Sequence, residues 1–139
     1  MSHTKSIEGL RIYQASRLLE DTVYELVKEL PASEFYRLGN DLRRSSAAIS
    51  HYIAECHRRY SYNVKLEALH LARSEAERLS QLLGDYEARG FGPTVGLQEK
   101  CEGIVKQSWG LIRYMKNRQR ERQAEVRIQT SDQLVAARA

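Results

Sequence analysis

The chain has 139 residues, 42% hydrophobic and 29% charged, with a formal net charge of +4. That balance suits one globular domain and excludes a disordered chain, and no apolar run approaches the ~18 residues of a membrane span. Cys56 and Cys101 are too few for a disulfide scaffold and show no metal-binding spacing, which points to reduced thiols in a cytoplasm.

The opening MSHTKSIEGL lacks the basic-then-apolar pattern of a secretory signal, so residues 1–6 read as an N-terminal arm. In 7–30, Ile12, Ala15, Leu19, Val23, Leu26 and Leu30 recur at helical spacing, and Pro31 closes the run. From Ser33, an expected N-cap, Phe35, Leu38, Leu42, Ser45, Ile49, Tyr52 and Cys56 alternate steps of three and four. Segment 62–89 repeats the pattern with Leu69, Ala72, Ala76, Leu79, Leu83 and Tyr86. GFG at 90–92, beside Pro93, is a stop followed by a restart. Segment 94–118 carries Leu97, Cys101, Ile104, Ser108, Leu111 and Met115. No useful length alternates with period two. The fold class is therefore all-α, an antiparallel up-down-up-down four-helix bundle over 7–118. Residues 119–139 form a basic C-terminal tail, either a frayed extension of the fourth helix or disordered.

The net charge is unevenly placed. Residues 37–65 hold six basic side chains against two acidic, and residues 113–139 hold seven against three. Segments 1–36 and 66–112 are each net −2. In an antiparallel bundle the second-to-third link shares a pole with the end of the fourth helix. Arg58, Arg59 and Lys65 are thus expected beside Arg113, Lys116, Arg118, Arg120 and Arg122, as a docking surface for an acidic partner. Complementing helix dipoles explains one or two such charges but not eight. Arg43 and Arg44 rank second, serving the bundle or its interface.

The stretch LRRSSAAISHYIAEC, at 42–56, resembles the helix-two signature of the four-helix-bundle family named for proteins encoded in intervening sequences of large-subunit ribosomal RNA. Arg43 and Arg44 match without gaps through to Ile53, Ala54 and Glu55. GLRIYQASRLLEDTVYELVKELP resembles that family's opening and its proline end, and LARSEAERLSQLL its small-and-acidic third helix. Tyr52 stands where the signature has Asn, Cys56 where it has Gly, and Ala48-Ile49-Ser50 where it has Ser-x-Pro. The resemblance spans roughly residues 7–118. It implies a cytoplasmic bundle that assembles as a ring, typically a homopentamer, without established enzymatic chemistry. QSWGLIRYMK, at 107–116, is similar to the Trp-containing fourth helix of a related branch, the accessory proteins of diversity-generating retroelements. That branch implies nucleic acid and a reverse transcriptase as partners.

Three constellations compete with a pure binding role. Arg44 and His51 fit the Arg-x4–6-His spacing of HEPN-type ribonucleases, in which the Arg holds the scissile phosphate and the His moves a proton. Glu67 and His70 form one Glu-x-x-His unit; a di-iron bundle needs two plus further carboxylates, and no second unit exists. Glu55, beside apolar Ile53, needs a partner if half buried, and Arg58 and Arg59 stand at i+3 and i+4 for a structural ion pair. Ser45-Ser46-Ala47-Ala48 permits a close helix approach, within the chain or between copies. Tyr52, Tyr60, Tyr62 and Tyr114 lie among the arginines, where bases can stack. The resulting expectation is a non-enzymatic oligomeric adaptor for RNA or for an RNA-handling protein such as a reverse transcriptase, using no metal or cofactor. A HEPN-type ribonuclease and a pure protein scaffold are the alternatives.

Overall fold

The computed structural model describes residues 10–138. The expected N-terminal arm lies outside them. Four long helices, α1 (Arg11–Val27), α3 (Leu38–Arg58), α4 (Tyr62–Ala88) and α5 (Val95–Arg138), are joined by short links, with a one-turn helix α2 (Ala32–Phe35) between α1 and α3.

Neighbouring helices run antiparallel. Ser50 Oγ donates to Glu20 Oε1 at 2.7 Å, and a Cβ on Gly39 would lie 3.0 Å from Val27, so residue numbers rise on α3 as they fall on α1. The Ser45 hydroxyl donates to the Glu75 carbonyl at 3.0 Å and Lys65 Nζ to the Cys56 carbonyl at 2.8 Å, which orders α3 against α4. Thr94 Oγ1 donates to the Leu83 carbonyl at 2.7 Å and Gln119 Nε2 to Asn63 Oδ1 at 2.8 Å, which orders α4 against α5. The topology is up-down-up-down.

The main core joins Leu19, Val23, Leu42, Ile49, Leu79 and Leu83, all at most 1% exposed. A smaller core of Cys56, Leu66, Leu69 and Ile112 underlies one pole. Serines reach the core because each hydroxyl bonds a carbonyl one turn back or the neighbouring helix. Ser46 donates to the Arg43 carbonyl at 3.1 Å and Ser108 to the Ile104 carbonyl at 2.8 Å. The small-residue middle of α3 thus seats this helix tightly against α4 within one chain.

Two expectations need revision. Ser33 is no N-cap: it lies inside α2, whose cap residue is Pro31. The second helix is also interrupted at Tyr36 and Arg37. That break lets α2 lie across the end of the bundle, with buried Glu34 paired to Arg89 at the end of α4. GFG acts as anticipated. Gly90 has φ +84°, Phe91 N–H bonds the Tyr86 carbonyl (3.2 Å), Gly90 N–H bonds the Glu87 carbonyl (3.0 Å), and the Phe91 and Tyr86 rings pack. This is the six-to-one and five-to-two pattern that ends a helix at a left-handed glycine.

Of the two alternatives for residues 119–139, the described residues show the extension of the fourth helix. The helix does not end near residue 118 but continues through Arg138, with every residue from 120 to 138 exposed. About 28 Å of helix thus stands clear of the bundle. Among the described residues, no helix is long and apolar enough to cross a membrane.

Candidate nucleic-acid interface

The antiparallel order brings the end of α3, the start of α4 and residues 111–122 of α5 to one pole. The Gln119–Asn63 hydrogen bond ties the two basic districts directly. Arg58, Arg59, Lys65, Arg113, Lys116, Arg118, Arg120 and Arg122 face only Glu55 and Glu121 within 55–65 and 113–122. Eight cations against two anions leave a local charge of +6, more than the +4 of the whole chain.

The eight are not equivalent. Arg58 and Arg59 both clamp Glu55: Arg58 pairs with its Oε1, and Arg59 Nε donates to Oε2 at 3.0 Å. Those two hydrogen bonds hold the Glu55 carboxyl below the ordinary carboxylate range, against the upward push of burial. Both arginine side chains stay exposed (61% and 59%), and together with Glu55 they present a single net positive charge. Lys65 is half-buried, and its ammonium donates to the Cys56 carbonyl at 2.8 Å and the His57 carbonyl at 3.4 Å. It caps the orphan carbonyls ending α3. Arg118 pairs with Glu121 at 3.2 Å, and the charges of Tyr114 and Glu121, with Tyr62 nearby, raise its pKa.

Arg113, Lys116 and Arg120 are exposed and form no ion pair among the described residues, Arg120 donating only to Asn117 Oδ1 at 3.4 Å; Arg122 is likewise exposed and in no such pair. Trp109, Arg113, Lys116 and Arg120 recur at steps of four, three and four, which aligns them along one outward stripe of α5. Trp109 is 38% exposed and is held from behind. The Arg73 guanidinium lies 4.7 Å from its ring centre, anchored in turn by Glu77 at 3.0 Å, and the His70 ring meets it edge-on at 5.6 Å. Burial first, then the charges of Arg73 and Lys116, keep the His70 imidazole below its ordinary pKa, so the aromatic seat is neutral at neutral pH. Sequence reasoning ranked these cations by their number and overlooked the stripe. The signal was the Trp-x3-Arg-x2-Lys-x3-Arg spacing in 109–120.

The remaining candidates lie elsewhere. Arg43 stands fifteen residues before Arg58, about 22 Å along α3, with its guanidinium 4.7 Å from the Phe35 ring centre and bonded to Asn40. It serves the bundle. Arg44 and His51 are both exposed on α3, about 10 Å apart along the axis, and His51 packs edge-on against Tyr52. Glu67 is exposed while His70 turns to Trp109. Among the described residues, no group of three or more His, Cys, Asp or Glu side chains is placed to hold a metal ion. Cys56 and Cys101 are free and buried, and burial pushes the Cys101 thiol up to about 12.

Two comparisons bear on this arrangement. The family model described as the 23S rRNA-intervening sequence protein matches residues 8–107, spanning most of the bundle and stopping just before Trp109. No curated protein matches the chain.

Proposed function

The chain belongs to the 23S rRNA-intervening sequence protein family, and on that premise we propose that it is a cytoplasmic, non-enzymatic adaptor that binds RNA. The outward stripe of α5 makes the primary contact, with Arg58, Arg59, Arg118 and Arg122 as a flanking field. One observation carries this reading: three unpaired cations and a braced tryptophan share one face within three turns. Cations at that spacing neutralise successive phosphates, and the exposed part of the Trp109 ring offers a base a stacking surface. Such contacts read backbone and shape, with little sequence preference.

Self-association, as a homopentamer or a smaller assembly, repeats the stripe and adds weak contacts through multivalency. An acidic surface on an RNA-handling protein, such as a reverse transcriptase, suits the same stripe. The deciding experiment is a salt titration of RNA binding by the full-length protein. Log affinity is expected to fall linearly with log salt concentration, and binding that is absent or indifferent to salt overturns the RNA reading and favours a protein scaffold. The same samples address the ribonuclease alternative: intact RNA is expected, and cleavage that disappears in His51→Ala would establish catalysis instead.

A further inference from the structure

The projecting end of α5 has a face that no described residue of the chain covers. Ala124, Ile128, Ser131 and Val135 recur at steps of four, three and four, with Leu134 beside them. Ile128 is 62% exposed, Val135 68% and Leu134 55%. This stripe cannot reach the bundle. Nine residues, two and a half turns, separate Ala124 from the core-packed Met115, so it points away from the side on which α5 meets its neighbours. The extension also has no tertiary packing of its own, so packing on a partner would add stability that helix propensity alone does not supply.

The charges beside the stripe identify that partner. Arg120 and Arg127 line one edge, and Glu125 and Asp132 line the other. When two copies lie parallel and in register, Arg120 of each faces Glu125 of the other, and Arg127 faces Asp132. The antiparallel alternative sets arginine against arginine and acid against acid. The β-branched Ile128 and Val135 occupy the a positions of this seam, with the small Ala124 and Ser131 at d. We propose that residues 120–138 zip in parallel, in register, with the same segment of a second copy of this chain.

This contact shares Arg120 alone with the RNA-binding stripe. It brings two outward stripes to the same end of the assembly, with Arg120 at the root of the zipper. It is short, and its strength comes from tethering as much as from area.

The test uses full-length protein carrying Ala124→Cys under mild oxidation, the native thiols being buried. Parallel pairing places the two introduced thiols together. A disulfide-linked dimer is expected in at least about tenfold higher yield than for Val126→Cys, which faces the opposite way. Adding Ile128→Asp should reduce the yield to the Val126→Cys level. Arg127→Glu should reduce it too, and adding Asp132→Arg should restore it. Equal yields at 124 and 126, or a yield that ignores Ile128→Asp, would overturn the proposal. RNA affinity in the same variants is a separate readout, because Ile128, Arg127 and Asp132 lie outside the Trp109–Arg120 stripe.

Discussion

Replacing Arg113, Lys116 and Arg120 together by glutamine removes the unpaired cations of the stripe and leaves the fold alone. All three are exposed, glutamine has nearly their helix propensity, and none holds an ion pair, so folding stability should stay within about 0.5 kcal/mol. The effect on binding is larger. Each phosphate contact to single-stranded RNA contributes about 0.7 to the slope of log affinity against log salt, so three lost contacts flatten that slope by about 2 per chain. Extrapolated from molar salt to about 0.1 M, the same term amounts to roughly a hundredfold in affinity, near 3 kcal/mol. Fluorescence anisotropy of a labelled RNA across a salt series measures both quantities at once. The corresponding triple change of Arg58, Arg59 and Lys65 should flatten the slope less, because two of those cations share Glu55 and the third faces carbonyls. Parallel salt lines for wild type and the Arg113–Lys116–Arg120 variant, or a larger loss from the Arg58 set, would refute the assignment.

Acid should weaken the bundle through Glu55 and Glu34. Arg58 and Arg59 lower the pKa of the first and Arg89 that of the second, so the unfolded chain takes up protons before the folded one; stability is intact above the ordinary carboxylate range and falls as pH drops through and below it. Urea unfolding between neutral pH and pH ~3 should show a shallower decline in Glu55→Gln and Glu34→Gln than in wild type. Gly90→Ala should cost about 1 kcal/mol because φ is +84° there, whereas Gly103→Ala, in α5 with nothing within 4 Å of its Cβ position, should gain up to about 1 kcal/mol. Thermal unfolding measures both. Leu79→Ala, at a fully buried core position, should cost about 2–5 kcal/mol by the same assay.

The helices were legible wherever one apolar stripe stays on one side. Segment 62–89 became Tyr62–Ala88 because Ala72, Ala76, Leu79, Leu83 and Tyr86 all meet the main core, with Leu69 continuing the same face into the smaller one. The break at Tyr36 and Arg37 was invisible because Phe35 and Leu38 keep the three-residue step across it; what interrupts the helix there is a tertiary pair, Glu34 with Arg89. The extension of α5 was legible only as one of two alternatives, for the opposite reason. Its apolar stripe stops at Met115 and resumes half a turn round at Ala124, so a search for one continuous face sees the pattern fade. Charge counting located the pole but not its working surface, since a count cannot tell Lys65, turned onto the end of α3, from Lys116, turned outward.

The difference between a charged pole and a charged stripe matters for what the protein grips. A cap of eight equivalent cations would attract any polyanion and hold it in no fixed direction. Internal pairing removes much of that field, because Glu55 neutralises one of two arginines, Glu121 engages Arg118, and the α3 terminus takes Lys65. Four cations remain unpaired, and three of them are in line: Arg113, Lys116 and Arg120 span about 10 Å along α5, continued to Trp109 by another 6 Å, while Arg122 lies off that line. A linear array selects an extended strand lying along the helix, and the braced indole at one end distinguishes that end from the other. If the site works this way, Trp109→Leu should lower affinity with little change in salt slope, because stacking releases no counterions, whereas each cation changes both. A cap would show no such separation.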